Sequence, residues 1–322
     1  MGALPDGRAC YQAAFRAFTT LDRAPEETFR LGQERVARNE REAREIGMRA
    51  WGTGELDSMR ARLRERRFAS REEMLAFARD ALERGRVQVP RWFRTVPRAP
   101  IVVEPHPSFR EATASDQYFP AAQDGSRPAQ YLINLGDPTE KTVSSSEITA
   151  FHETYPGHHL QIGIAQELPG AHPVAQLISS GSYVEGWARY AEALAEEMGL
   201  YTSDAARVER RLWPARGMVL DPGIHLFGWT REQAVDYIVS TGRFDRTRAE
   251  ALVDRVVAWP GQLTAYDTGG LEFFALREQA QRRLGDRFDI REFHDVVLRG
   301  GAVTLPMLRE SVEAWIEERA RQ

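Results

Sequence analysis

Prolines decide where this chain cannot be helical. Those at 90, 97, 100, 105, 107 and 120 crowd residues 86–145. Each removes a backbone donor and crowds the preceding turn, so no long helix fits there. The same segment holds Ile101-Val102-Val103 and Tyr131-Leu132-Ile133-Asn134-Leu135, short β-branched or aromatic runs suited to strands. Pro105 and Pro107 predict that the first strand ends early or lies near a sheet edge.

On both sides of that segment helical punctuation takes over. A first helix is expected over Cys10–Phe18, and Pro25-Glu26-Glu27 opens a second that runs toward Trp51. Ser70-Arg71-Glu72-Glu73 reads as a capping box opening a helix that ends near Gly85. After it, Ser144-x-x-Glu147 is expected to cap the element bearing a histidine cluster, and helical patterns cover 180–198, 204–220, 230–241, 246–258, 269–284 and 305–319. The reading is a mostly α chain with a small β-sheet, an α+β fold in one domain over residues 1–322. Within it, 1–85 is a helical N-terminal part, 86–145 the Pro-rich segment with strands, and 146–322 a second helical part. The shift near residue 86 is a weak boundary, and no internal repeat is visible.

Charge and cysteine content remove several functions. The formal charge is −4, and Lys141 is the only lysine among 43 basic residues. Acidic residues intersperse the arginines, so there is no basic stripe and no nucleic-acid partner is expected. Cys10 is alone, which excludes an intrachain disulfide and a thiolate metal cluster. No segment approaches 18 uncharged apolar residues, so no membrane association is expected. The N-terminus lacks a basic region followed by an apolar stretch, and a cytoplasmic location is the expectation.

The chemistry concentrates in His152-Glu153-Thr154-Tyr155-Pro156-Gly157-His158-His159. Side chains four residues apart share a helix face, which is why H-E-x-x-H presents two imidazoles to one ion with a glutamate beside them as general base. Here the fourth position after His152 is Pro156. His158, six residues on, would point about 120° away on an unbroken helix, whereas His159 would return to the same face. Pro156 should bend or open the helix, and Gly157 can take backbone angles closed to other residues. An excursion at Tyr155–Gly157 would bring His158 to the second ligand position, so His158 is preferred, with His159 left open. A surface turn with incidental histidines is the competing reading.

A third ligand should come from a following helix. Glu185 lies in the largely apolar or aromatic run Ser182–Tyr190, and Glu192 follows two turns later on the same side. An uncompensated carboxylate there is costly, and a divalent cation relieves the cost. Two imidazoles and one carboxylate leave a position of tetrahedral Zn²⁺ open for water, as hydrolysis requires. Glu192 could orient a histidine from behind. An ordinary surface acid is the rival reading for both glutamates.

Five blocks, FHETYPGHHLQ, SYVEGWARYAE, DPGIHLFGWTREQAVDY, WPGQLTAYDTGGLEFFALREQA and FHDVVLRGGAVTLPMLRESVEAWI, together resemble the bacterial domain-of-unknown-function 885 family. Its members look like distant zinc peptidases of the gluzincin type, with a helical body around a small sheet. The resemblance implies a zincin-like helical metallopeptidase architecture in which His152, His158 and Glu185 bind zinc and Glu153 activates water. Gly157-His158 is also similar to the ending of thimet-type and related carboxypeptidase motifs. The likeness begins near Leu4, and relatives are usually much longer, so the chain resembles their C-terminal portion. A partner or a homo-oligomer would then complete the cleft. Pro222 stands where a D-T-G-x-H block has threonine, and Asp267 where an S-Y-K-x-G block has lysine.

The expected activity is zinc-dependent hydrolysis of amide bonds in short peptides or peptide-like metabolites, with Glu153 moving the proton. Tyr266 and His225, each at a punctuated junction, are candidate donors to the developing oxyanion. The alternatives are a metal-dependent tailoring hydrolase with a non-peptide substrate, or a weakly active or non-catalytic accessory module. His294 is expected to be structural, its neighbouring acid Asp295 holding a tautomer, while His106 and His172 have no evident companions. Trp187, Trp213, Trp229 and Trp259 should build core or cleft wall. Gly269-Gly270 and Gly300-Gly301 lack a phosphate-loop context.

Overall fold

The computed structural model describes residues 1–111, 113–168 and 180–321. His172 lies outside them. Helices α1 (Gly7–Thr19) and α2 (Pro25–Trp51) start and stop close to their sequence signals, and Pro25 occupies the first turn of α2 with Glu26 and Glu27 beside it. A short helix that the sequence reading missed, α3 (Leu56–Leu63), follows, with the Glu55 carboxylate accepting from the amides of Asp57 and Ser58.

Helix α4 (Arg71–Trp92) departs from expectation. Ser70 Oγ accepts from the Glu73 amide at 3.2 Å, but Glu73 reaches past it to the Ala69 amide at 2.7 Å, so the box closes one residue early. The helix then runs through Gly85 and Pro90. Pro90 sits in the last turn, two residues before the helix ends. Gly85 is a contact rather than a stop, since a Cβ there would fall 2.5 Å from the Tyr155 carbonyl oxygen. The change of sequence character near residue 86 therefore falls inside a helix.

Three strands form the sheet: β1 (Ile101–Pro105), β2 (Gln117–Phe119) and β3 (Ala129–Ile133), in the order β1-β3-β2. Strand β1 runs parallel to β3 with Val103 opposite Tyr131, and β2 runs antiparallel with Tyr118 opposite Tyr131. Both prolines behave as expected, for β1 is an edge strand and ends at Pro105. The alternating burial of β3 turns Ala129, Tyr131 and Ile133 into the core.

Helices α5 (Val143–Glu153) and α6 (His158–Glu167) carry the histidines, and α7 (Gly181–Glu197) carries the glutamates. The cap of α5 is Thr142, whose hydroxyl accepts from Ser145 N at 3.2 Å, not Ser144. Glu147 is instead fully buried, paired with Arg84 at 2.9 Å and accepting from Thr202 N at 3.1 Å. Residues 204–220 form two helices, α8 (Asp204–Leu212) and α9 (Arg216–His225). Pro214 has no amide hydrogen with which to continue α8, and Ala215 turns the chain at φ 70°. The remaining helices are α10 (Arg231–Val239), α11 (Arg246–Ala258), α12 (Gln262–Leu284), α13 (Ile290–Leu298) and α14 (Leu305–Arg321).

The main core joins α4–α7, the sheet and α12–α14 around Trp187, Phe93, Phe151, Phe273 and Phe293. Two smaller cores lie among α9–α12 and among α2, α3 and α8. Trp187 and Trp213 are buried as expected, but Trp259 is 57% exposed under the Arg255 guanidinium. The pair Gly269-Gly270 has a packing role. Gly186 of α7 meets it with no side chain between, and a Cβ at 186 would fall 2.5 Å from the Gly269 carbonyl carbon. Helices α7 and α12 thus touch backbone to backbone.

Candidate metal centre

Thr154 ends α5 by returning its amide and hydroxyl to the Ala150 carbonyl, at 2.9 and 2.6 Å. The chain turns through Tyr155-Pro156, a cis peptide, and α6 begins at His158. The helix therefore opens fully at the proline rather than bending. Gly157 does not use a left-handed conformation, for its φ is −80°. Its role is steric: a Cβ would lie 2.0 Å from the His152 carbonyl oxygen. Trp187 Nε1 fixes the turn by donating to the Pro156 carbonyl at 3.0 Å.

This turn settles which imidazole faces His152. The rings of His152 and His158 lie 4.7 Å apart and perpendicular. His159 points elsewhere, its Nδ1 3.3 Å from the Tyr118 hydroxyl and its Nε2 3.1 Å from the Tyr155 hydroxyl. From α7, Glu185 places Oε2 3.4 Å from His152 Nε2 and 3.7 Å from His158 Nε2. Those separations are long for hydrogen bonds. Two ligands each about 2.1 Å from a tetrahedral ion stand about 3.4 Å apart, so the separations fit ligands that share one cation. Glu185 Oε2 is buried without a hydrogen-bond partner among the described residues.

Glu153 is the fourth member. It offers an oxygen within 4.8 Å of ligand atoms on His152 and His158, so geometry alone allows it or Glu185 to be the carboxylate ligand. Its Oε2 is already taken by the Tyr118 amide of β2 at 2.8 Å. Glu185 Oε2 has no hydrogen-bond partner among the described residues and reaches both imidazoles, which makes Glu185 the better-placed candidate ligand of the two.

Behind His152 stands a chain of charges. His152 Nδ1 is 2.8 Å from Glu192 Oε1, Arg189 binds the same oxygen at 2.7 Å, and Arg189 Nε lies 3.4 Å from Asp267. Glu192 thereby fixes the ring so that Nε2 faces Glu185, the role read for it from sequence. Asp267, which stands where the resemblance implies lysine, is part of this support. Pro222, the other departure, lies buried inside α9.

The electrostatics favour a cation. Glu153, Glu185, Glu192 and Asp267 gather in a largely buried setting where, among the described residues, Arg189 is the cationic side chain paired with two of them and Arg243 acts from further off. Burial alone would keep His152 neutral, yet Glu185 and Glu192 outweigh it and raise the imidazole pKa to about 10. Burial also opposes ionisation of Glu185, but His152 and His158 hold its carboxyl at about 2. Burial, then the neighbouring His152, lowers His158 to about 4. Glu153 is raised to about 8 by burial, with Glu185 adding to the effect and His152 and the Tyr118 amide opposing it. A proton on His152 thus fills a place built for positive charge.

The two remaining sequence candidates divide. Tyr266 lies near the cluster: Arg189 approaches its ring at 5.8 Å, and burial together with the Glu185 charge raises its phenol. His225 is not brought to the site. Its Nδ1 is 3.2 Å from the Met1 amino group and its Nε2 3.0 Å from the Val256 carbonyl, so both ring nitrogens are engaged elsewhere. His294 is buried and structural as expected, but the Trp92 carbonyl at 2.8 Å and the Tyr190 hydroxyl at 2.9 Å hold its tautomer, not Asp295. Tyr118 was missed because its contribution is a main-chain amide. The cluster opens on a cleft of about 800 Å³ that His152, Glu153, Arg189 and Glu192 line together with Lys141, Arg243, Phe244 and Arg248.

Residues 2–312 match the family model described as bacterial protein of unknown function, DUF885. A crystal structure of a candidate lipoprotein from Colwellia psychrerythraea is similar, with 33% identity and a TM-score of 0.93 over 98% of this chain and 56% of that one. A candidate lipoprotein of unknown function from Shewanella oneidensis shares the fold at 21% identity and a TM-score of 0.81, over 94% of this chain and 59% of that one. The chain thus spans less than two thirds of either solved protein. No curated protein matches it.

Proposed function

The chain belongs to the bacterial DUF885 family of unknown function, and for this member we propose zinc-dependent hydrolysis of amide bonds in short peptides or peptide-like metabolites. The observation that carries this reading is the unpartnered Glu185 Oε2, 3.4 and 3.7 Å from two imidazole nitrogens, with a second carboxylate, Glu153, beside them. His152, His158 and Glu185 would hold the ion. The chemistry zinc supplies when bound there is acidification of water and polarisation of a carbonyl.

The protein's own part is to place and move protons. Tyr118 N–H pins one oxygen of Glu153, leaving the other to accept a proton from water and return it to the leaving amine. Burial raises the proton affinity of this carboxyl, and a cation held by the neighbouring residues would oppose that rise and keep it ionised to accept the proton. Glu192 and Arg189 hold His152 in its tautomer, and Tyr266, whose hydroxyl lies 3.4 Å from Gln262 Nε2 and 3.5 Å from Arg255, would turn that hydroxyl toward a developing negative charge as an additional donor. Substrate enters through the cleft that His152 and Glu153 line.

The test is Glu153→Gln. Zinc content by emission spectrometry should be unchanged while hydrolysis of a dipeptide and amide panel falls by about 10²–10⁴-fold. Purified protein without zinc, or a Glu153→Gln variant with undiminished turnover, would refute the reading. Cleavage confined to non-peptide amides in the same panel would select the tailoring hydrolase instead.

A further inference from the structure

Four cationic side chains line the cleft: Lys141, Arg189, Arg243 and Arg248. Three have partners. Lys141 lies 3.6 Å from Asp116 and donates to the Asn134 carbonyl, Arg189 holds Glu192 and Asp267, and Arg248 sits 3.6 Å from Asp245. Arg243 differs. Among the described residues its guanidinium has no carboxylate within ion-pair distance and no hydrogen bond; it lies 5.9 Å from the Trp213 ring centre and 5.7 Å from that of Phe244.

The segment that presents Arg243 is fixed. The Thr241 hydroxyl accepts from the Arg243 amide at 3.1 Å, and Gly242 turns the chain at φ 76°. The side chain is half-buried between the main cleft and an adjoining pocket bounded by Leu63, Thr142 and Glu209. Burial lowers the affinity of its guanidinium for the proton, although Glu209, Glu192 and Asp267 oppose this from a distance. An unpaired charge held this way is costly, and a planar guanidinium flanked by aromatic rings is suited to bidentate binding of a carboxylate.

We infer that Arg243 is a substrate-binding residue that clamps a carboxylate of the substrate in the cleft beside His152 and Glu153. The inference rests on the hydrolase reading for the identity of the cleft, and it narrows the substrates to acids. The carboxylate has two sources, the free C-terminus of a peptide or an aspartate or glutamate side chain, and both present the same group to Arg243.

Binding separates them without turnover. Zinc-loaded protein carrying Glu153→Gln is titrated calorimetrically with N-acetyl-alanyl-alanine, with its C-terminal amide, and with N-acetyl-alanyl-glutamate blocked as the main-chain amide. One of the two acids should bind at least about tenfold more tightly than the neutral amide, and a second substitution, Arg243→Gln, should erase the difference. Preference for the free terminus assigns the main-chain carboxylate; preference for glutamate assigns the side chain. Arg243→Lys should keep an intermediate preference, which a defect of folding would not produce. Equal or absent binding of all three probes, a preference that survives Arg243→Gln, or tighter Arg243-dependent binding of inorganic phosphate than of either acid would overturn the inference. Peptide hydrolysis by the unsubstituted enzyme with no such preference would leave the hydrolase standing. An intact preference in a protein that hydrolyses nothing would do the reverse.

Discussion

Two buried groups of histidine and acid occupy this protein, and they are finished differently. Around Asp221 in α9 every polar atom has a partner: the carboxylate accepts from the Tyr11 hydroxyl at 2.7 Å, from Gly261 N at 2.9 Å and from Leu263 N at 3.3 Å, while His225 has both ring nitrogens engaged. Around His152 the same kinds of residue leave Glu185 Oε2 without a partner among the described residues, aimed at the Nε2 atoms of two imidazoles 3.4 and 3.7 Å away, and gather four carboxylates of which Arg189 pairs with two. Burial of ionisable groups is common to both. Convergence of unsatisfied atoms on one point belongs to the second, and this feature separates a site from a structural knot.

The difference can be pressed experimentally. Glu185→Gln removes the anionic ligand while keeping the side chain's shape, and should lower zinc affinity by more than about 100-fold, beyond the range for groups behind the ligands. A chelator-competition titration measures this; zinc retained at full affinity would remove Glu185 from the ligand set. Glu192→Gln should weaken zinc by about 10–100-fold, since it supports His152 Nδ1 without reaching the ion. An effect as large as that of Glu185→Gln would instead mark it as a ligand.

In the structural knot the sign of the experiment reverses. Asp221→Asn should leave zinc affinity unchanged and lower stability by about 1–3 kcal/mol, because backbone donors at Gly261 and Leu263 lose a charged acceptor. Thermal unfolding monitored by tryptophan fluorescence reads this, and a loss of zinc without loss of stability would dissolve the contrast.

The smallest effect at neutral pH comes from His294, which burial holds neutral, its pKa lowered from 6.5 to about 3 despite the Trp92 carbonyl. Below pH 6.5 the unfolded chain takes up a proton that the folded protein refuses. Stability from this group is therefore complete above 6.5 and is lost as pH falls toward 3, at up to about 1.4 kcal/mol per pH unit. Denaturant midpoints between pH 7 and 4 should fall less steeply in His294→Asn than in the parent; equal slopes would show that another group dominates.

What could be read in advance followed the range of the forces involved. Residues 246–258 emerged as Arg246–Ala258 because a capping acid and local periodicity specify that helix. Gly85 misled because its reason lies across the fold, in the Tyr155 backbone. Strand β2 was missed since three residues carry too little pattern, and with it went the Tyr118 amide that any residue type could supply there. His152, Glu153 and Glu185 were legible from residue type and spacing, whereas the choice of His158 over His159 needed the path of the turn. Arg243 left no signal, for it is one arginine among many until its lack of a partner is seen.

The glycine contact between α7 and α12 bears on how such a protein can vary. Glu185 and Glu192 ride on the helix whose backbone rests directly on Gly269. Elsewhere in the core a swapped side chain can be absorbed by its neighbours adjusting their rotamers. Here nothing compressible lies between the two backbones, so added bulk at either glycine would shift both acids relative to histidines that another helix pair holds in place. Inherited changes in substrate preference are therefore expected to collect among the cleft-lining side chains, while this seam stays closed to change.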